Sequence, residues 1–490
     1  MEADEETPIF AKADRPATAS RPPSYVYFIV GCAALNSVNL GYDIGVNSGV
    51  AVLIKDDFGL SDKQIGVFLG ALHFIAAFGG LMNQAVSDRL GRCLTFTLAQ
   101  IVLVIGVVIL CTAGSFATLM VGRLFVGTGV GLGLAIDPLY MAEVSPADFR
   151  GMLTAWAEIA TNLGVLLGFV ANWVFNDLPL GQNWRVMLAC GAVLPVVLVF
   201  LSLTLMPESP RWLVARGFTA EAEAVLRRTH AAGVDIPELV NEIRHQLQAE
   251  AEYESPGLLG WAPLLLPDAV TRRMLLVGVG VAFAQQINGS ESVVLYSPEI
   301  FKDAGVARTN SGLFAVTIVV GVVKVFFIIV SALLLDGVGR RPLLIVSTCG
   351  MALCQFVLAV ALALSQGWLA AVAVWIFIAF FSLGIGPICW LLAAEVFPLR
   401  IRAKAMSMAA FVNRLTSGTI ALTFLPLSGA MGLSGYYLLF AFITTGTALA
   451  AYSFVPETKQ RTLEQLTDYF RELHYGSEKA SEAPLAPGAA

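Results

Sequence analysis

The sequence predicts an all-α integral membrane protein of twelve transmembrane helices in two six-helix halves, with both termini cytoplasmic. Composition, the spacing of long apolar runs and an internal duplication predict it. The 490 residues are 57% hydrophobic and only 13% charged, a balance that no water-soluble chain of this size could cover with polar surface. Continuous apolar runs of about twenty residues suit helices that cross hydrocarbon. They lack the alternation of a membrane β-barrel.

Taken in order, residues 1–25 are polar and Pro-rich and read as a cytoplasmic tail. No cleavable signal is expected, because the first apolar run is too long for a signal core. Apolar runs at roughly 26–53, 64–86, 94–114, 116–143, 151–175 and 186–206 make the first half, 26–206. Residues 207–272 read as a cytoplasmic linker of short amphipathic helices, with Arg227, Arg228, Arg244 and Arg272 in it and Arg273 at its edge. Runs at 273–301, 312–335, 342–363, 368–394, 404–428 and 434–455 make the second half, 273–455, and 456–490 a second cytoplasmic tail.

Loop charge sets the orientation. One set of alternate loops holds Arg89, Arg92, Arg150, Arg340, Arg341, Arg400, Arg402 and Lys404, besides the linker. The other set holds little beyond Lys55, Lys63, Lys302 and Arg308. Basic loops stay in the cytoplasm, which places both termini there. The net charge of −6 comes from acidic tails and a loop, so it gives no ground for a nucleic-acid partner. The seven cysteines lie in or beside apolar runs without metal-ligand spacing and read as small apolar fillers.

Three landmarks recur at offsets of 248 to 252 positions. Asp88-Arg-Leu-Gly-Arg92 returns as Asp336-Gly-Val-Gly-Arg-Arg341. Ala142-Glu-Val-Ser-Pro146, followed by Arg150, returns as Ala394-Glu-Val-Phe-Pro398, followed by Arg402. Pro207-Glu-Ser-Pro returns as Pro456-Glu-Thr-Lys459. The halves are therefore parallel repeats, an architecture in which a ligand binds between halves near mid-membrane. Gly in these loops permits a tight turn. The flanking charges can bridge to a neighbouring helix end and hold one face shut, or they serve only to orient the chain. The gating set is Asp88, Arg92, Glu143, Arg150 and Glu208, with Asp336, Arg340, Arg341, Glu395 and Arg402 in the second half.

At these motifs the chain resembles the sugar porters of the major facilitator superfamily. The matching pieces are the Gly-Arg loops, Pro207-Glu-Ser-Pro-Arg-Trp212, Gln285-Gln286, Gly386-Pro-Ile-Cys-Trp390 and Pro456-Glu-Thr-Lys459, across about residues 26–470. Within that group it looks most like plant-type polyol/monosaccharide–proton symporters. That likeness rests on Gly41-Tyr-Asp-Ile-Gly45, Glu158, Val293-Val-Leu-Tyr-Ser-Pro298, Lys324 and Val412-Asn-Arg414. Glu158 and Glu291 stand where sugar porters more generally tend to have Gln and Asn.

The residues give that resemblance a chemistry. Asp43 lies deep in the first run and Arg123 within the fourth, and ionisable groups in hydrocarbon are functional candidates by default. Deprotonated Asp43 would pair with Arg123, and protonation would release the pair; the resemblance assigns proton coupling to these two, with a static ion pair as the alternative. Gln285, Gln286 and Asn413 both donate and accept, as polyol hydroxyls require. Tyr296 and Trp390 offer rings for C–H faces. The resemblance places these five and Glu158 on a central cavity, whereas a lone membrane Gln can equally serve an interhelical hydrogen bond. Glu291 and Lys324 complete the binding set, with Lys324 expected to neutralise Glu291, Glu158 or both.

Counting Asp43, Asp137, Glu158 and Glu291 against Arg123, Lys324 and Arg414 leaves one buried acid without a permanent partner. Asp137 departs from the family pattern; it either caps backbone freed by Pro138, tunes substrate choice or adds a proton site. The resulting expectation is proton-coupled symport of a polyol or monosaccharide by alternating access, with a facilitative hexose or inositol carrier as the alternative. No nucleotide loop, nucleophile–base pair or metal set appears in the sequence, so neither an enzyme nor an organic cofactor is expected. The expected partners are a small polyol or sugar, the proton and the lipid bilayer; a monomer in the plasma membrane is the expected working unit.

Overall fold

The computed structural model describes residues 23–146, 149–231, 233–253, 261–459 and 463–475, and all regular structure among them is helical. Ten of the described helices are long and apolar enough to cross a membrane. The first five spans are Ser24–Phe58, Asp62–Leu90, Arg92–Cys111, Phe116–Val144 and Arg150–Val174. The sixth is Asn183–Cys190 continued by Val193–Thr204, a break one turn before Pro195, whose ring nitrogen cannot donate to the preceding turn.

The remaining spans complete the twelve, with one correction to the continuous runs. The seventh span is three pieces, Ala269–Ile287, Ser290–Leu295 and Ser297–Asp303, broken at Asn288-Gly289 and Tyr296. The eleventh and twelfth spans occupy Leu399–Phe454 and part at Gly432, where φ is +76°, as the separate runs in the sequence imply. Between them lie the eighth span Asn310–Val338, the ninth Arg340–Ala363 and the tenth, Gly367–Leu383 continued by Ile385–Val396. Pro387 deprives the Leu383 carbonyl of its helical donor, and Ser331 Oγ donates to that carbonyl instead at 2.7 Å.

The linker forms short helices as the sequence implies: Pro210–Ala215, Thr219–Thr229 and Ile236–Tyr253. They share a small apolar core of Leu213, Val225, Leu226 and Val240. Arg272 and Arg273 are not in it; they belong to the first turns of the seventh span.

Lipid tails are as apolar as leucine, so close packing rather than water exclusion must hold membrane helices together. The first and fifth spans meet backbone to backbone. A Cβ on Gly41 would overlap the Thr161 carbonyl oxygen, and one on Gly164 the Val38 carbonyl oxygen. The halves meet along the second and eleventh spans, where a Cβ on Gly70 would lie 2.9 Å from Gly418 O. They also meet along the fifth and eighth, with Gly321 against Leu166 and Phe169. Phe78 and Phe411 extend the first of these contacts edge to face at 5.4 Å.

Candidate functional site

The repeated loops at the Arg-rich end form one device twice. Gly91 and Gly339 take φ of +91° and +102°, conformations that L-residues with a Cβ avoid. Each starts a helix whose first N–H groups need acceptors. Glu208 accepts from Arg92 N at 2.8 Å and Cys93 N at 3.2 Å; Glu457 accepts from Arg340 N and Arg341 N, both at 3.1 Å. A carboxylate there also meets the positive end of the helix dipole. A Cβ on Gly339 would come within 2.8 Å of Glu457 Oε2, so the turn glycine makes room for the cap.

The guanidinium groups then cross to the next helix pair. Arg92 Nη2 lies 2.9 Å from Glu143 Oε1, and Arg340 Nη2 lies 3.0 Å from Glu395 Oε1. Asp88 adds a 3.2 Å contact to Arg92. Arg341 Nη2 donates to Tyr452 O at 2.7 Å, and Arg402 Nε to Phe397 O at 3.0 Å. Each of these bridges closes within its own half, bracing three helix ends into one body. The side chains of Arg150 and Asp336 lie outside the described residues. Burial pushes the Glu208 carboxyl up against the opposing N–H groups of Ser209, Arg92 and Cys93. At Glu457 burial acts the same way, but the N–H groups of Lys459, Arg340, Arg341 and Thr458 outweigh it and hold the carboxyl below its usual range.

Deeper in the first half, Arg123 is fully buried, with Nη1 3.7 Å from Asp43 Oδ2. Its guanidinium lies 3.9 Å from the centre of the Phe68 ring, a geometry that stabilises a desolvated cation. Asn47 links the two: it accepts from Arg123 Nη2 and donates to the Asp43 carbonyl. Asp43 Oδ2 and Arg123 Nη1 have no hydrogen-bond partner, so the pair is in contact without being locked.

In the second half the sequence-selected amides form one network. Gln285 Nε2 donates to Gly386 O at 2.7 Å, joining the seventh span to the Gly386–Trp390 motif of the tenth. Asn413 donates to Ala282 O at 2.8 Å and to Gln285 Oε1 at 2.7 Å. Gln286 Nε2 reaches Asn413 Oδ1 at 3.4 Å, while its own Oε1 is buried without a partner. Trp390 is half-buried two turns beyond the helix break. Tyr296 sits apart from this cluster: its hydroxyl is committed to Ala421 O at 2.7 Å and its ring stacks on Phe424 at 4.2 Å. That arrangement ties the broken seventh span to the eleventh.

The charges differ from expectation at one partner. Glu291 Oε1 lies 3.3 Å from Nε2 of His73, a residue of the second span and so of the other half. Lys324 has Glu291, Glu158 and Arg414 as its charged neighbours but makes no ion pair within 4.0 Å among the described residues; its ammonium lies 5.8 Å from the centre of the Phe381 ring. Glu158 is half-buried, with Lys324 and Arg414 as its charged neighbours and Asn162 3.5 Å from Oε1. No motif marks His73, an isolated histidine in an apolar run.

Asp137 is remote from these charges. It accepts from Asn36 Nδ2 at 2.6 Å and Ser37 Oγ at 2.7 Å. Gln100 Nε2 supports Asn36 Oδ1 at 2.6 Å. The carboxylate thus ties the fourth span to the first and third, rather than capping the backbone that Pro138 frees.

Comparisons with known proteins agree with this architecture. The family model described as sugar (and other) transporter matches residues 29–470. Polyol transporter 5 of Arabidopsis thaliana is 39% identical over 485 residues, covering 95% of this chain and 90% of the relative. Plastidic glucose transporter 4 of the same plant is 35% identical over 447 residues, covering 89% and 79%. The partially occluded inward-open structure of the xylose transporter XylE from E. coli aligns with a TM-score of 0.78 at 26% identity, covering 90% of this chain and 100% of that one. The proton:xylose symporter XylE bound to 6-bromo-6-deoxy-D-glucose aligns at 0.77 with 28% identity, covering 91% and 99%. A family match over most of the chain, together with twelve spans in two repeated halves, identifies this multi-pass membrane protein as a member of the sugar (and other) transporter family.

Proposed function

We propose that the protein is a proton-coupled symporter of a polyol or monosaccharide, working by alternating access. The observation that carries the proposal is the Asp43–Arg123 contact, a carboxylate and a guanidinium buried at 3.7 Å within the first half. Removing one charge of such a pair costs several kcal/mol, about 3–5. A proton on Asp43 Oδ2 therefore releases Arg123 to its remaining contacts on Asn47 and the Phe68 ring, and frees the first and fourth spans to shift. The names of relatives support the cargo and the coupling: a polyol transporter at 39% identity and a proton:xylose symporter of the same fold.

On the cargo side, Gln285, Gln286 and Asn413 would meet hydroxyls with amides that donate and accept, and the Trp390 ring a C–H face. Glu158, Glu291 and Lys324 would add charged partners to hydroxyls. Tyr296, committed to Ala421, would act on the closure of its end of the cavity. A monomer is the proposed working unit, and size-exclusion with light scattering of the purified protein tests it. The plasma membrane is the proposed location, and cell fractionation against plastid and vacuolar markers tests it. Uptake of labelled sorbitol and D-xylose into proteoliposomes, with and without an imposed proton gradient, separates symport from facilitative transport. Accumulation above equilibrium only with the gradient supports the proposal; equal uptake in both conditions favours the facilitative carrier.

A further inference from the structure

Asp137 is the buried acid that the charge count leaves over. Asp43 has Arg123 beside it, and Glu158 and Glu291 have Lys324 and Arg414 as charged neighbours. Asp137 is 2% exposed, and the side chains that act on its carboxyl are the neutral Asn36 and Ser37. Ionised, it is a buried charge that hydrogen bonds alone must offset.

The pocket around it is built from three spans. Asn36 Nδ2 and Ser37 Oγ of the first donate to Asp137 Oδ1 and Oδ2. Gln100 of the third steers Asn36, and its own Oε1 is buried without a hydrogen-bond partner. Gly133, one turn before Asp137, makes room for the Asn36 amide; a Cβ there would lie 2.6 Å from Nδ2. Toward the Arg-rich end the same spans bring Cys93 and Tyr140 together, both donating to Pro207 O. Beyond them Arg92 is paired with Glu143 and Asp88, and buried Cys32 completes the titratable groups of this packing.

The carboxyl therefore faces hydrogens. A metal ion would need the oxygens of Asn36 and Ser37 turned toward it, whereas both residues present donors. Depth adds a second point. Asn36 and Ser37 precede Asp43 by six or seven residues, about 10 Å along a helix toward the cytoplasmic end. Asp137 precedes Glu143 of the cytoplasmic brace by six residues, about 9 Å.

We infer that Asp137 is a second proton-binding site, lying between Asp43 and the cytoplasmic braces. The carboxylate takes a proton from water and returns it to water, with no other bond changed. The added O–H is accepted by Ser37 Oγ, whose own hydrogen rotates away. Burial disfavours the charged form and the two hydrogen bonds favour it, so the opposed effects let the site exchange its proton within the range of cellular pH.

Infrared difference spectra between pH 5.5 and pH 8, taken on the purified full-length protein, read the carboxyl C=O stretch of protonated acids directly. Asp43→Asn removes the signal of Asp43, and Glu158 and Glu291 contribute equally to every variant compared. Asp43→Asn should gain an acid band at low pH, and Asp43→Asn/Asp137→Asn should lose that band. Asp43→Asn/Ser37→Ala removes one donor to the carboxylate, so the band should appear at a pH about one unit higher. Thermal melting shows whether each variant is folded, and the Ser37→Ala shift decides the matter if Asp137→Asn is not. Coincident spectra with and without Asp137, or a midpoint unmoved by Ser37→Ala, overturn the inference. So does a band that responds to sodium at constant pH. No transport is measured, so failure of the symport reading shows separately, as gradient-independent uptake by the wild type.

Discussion

Asn413 donates its side-chain amide to Gln285 Oε1 at 2.7 Å, while its own oxygen is held by Arg414 Nη2 at the same distance. The eleventh span thereby fixes which way the Gln285 amide faces, and Gln285 in turn anchors Gly386 of the tenth. Truncating either side chain leaves buried polar groups unpaired, at about 1–3 kcal/mol each.

Gln285→Ala and Trp390→Ala should therefore weaken substrate binding about tenfold or more, with protein abundance unchanged. Counterflow of labelled sorbitol or D-xylose reads the affinity, and fluorescence-detected size exclusion reads abundance. Unchanged affinity in both variants places the cargo elsewhere.

The crossing of the first and fifth spans should tolerate no side chain at Gly164 or Gly41. Each faces a carbonyl oxygen that a Cβ would overlap, and overpacking of a tight contact costs about 1–3 kcal/mol or more. Gly164→Val should abolish the monodisperse protein peak. Gly280→Val, where no atom lies within 4 Å of a Cβ, should leave it intact.

Asp137 should act as a tie between spans. Asp137→Ala strands the Asn36 and Ser37 donors, and Asn36→Ala strands the carboxylate; each should lower the melting temperature, at about 1–3 kcal/mol. The double variant should cost less than the sum. A normal melt for Asn36→Ala would return Asp137 to the role of a backbone cap.

Glu457 gives a pH test outside the membrane. Its folded-state affinity for protons is lowered, burial being outweighed by four backbone N–H donors. Its ionised form therefore contributes stability above the ordinary carboxylate range, and that contribution is lost as pH falls through the lowered folded value. Glu457→Gln should melt earlier than wild type at neutral pH, by no more than about 1 kcal/mol after solvent screening, and the gap should close in acid. A gap independent of pH would contradict the capping role.

Most of the fold was legible because hydrocarbon imposes it: apolar length gives the spans, and the offset of Asp88, Glu143 and Glu208 from Asp336, Glu395 and Glu457 gives the repeat. The helix break at Asn288-Gly289 was less visible, since it lies within a run whose apolar character continues, whereas Gly432 falls between the runs 404–428 and 434–455. The partners within the amide cluster were visible as motif residues. The His73 contact was not, because 218 positions of sequence separate it from Glu291 and only the meeting of the halves brings them together. Lys324 was expected to neutralise Glu291, Glu158 or both; it has both as charged neighbours without an ion pair within 4.0 Å among the described residues, while Glu291 Oε1 lies 3.3 Å from His73 Nε2.

The central claim is that Asp43 couples protons to cargo, and concentrative uptake by Asp43→Asn tests it most directly. Proteoliposomes are loaded at neutral pH and diluted into acidic medium containing labelled sorbitol or D-xylose. The wild type should accumulate the label above its external concentration, and Asp43→Asn should bring it only to equilibrium while remaining folded by thermal melt. Accumulation by Asp43→Asn equal to that of the wild type would contradict the account.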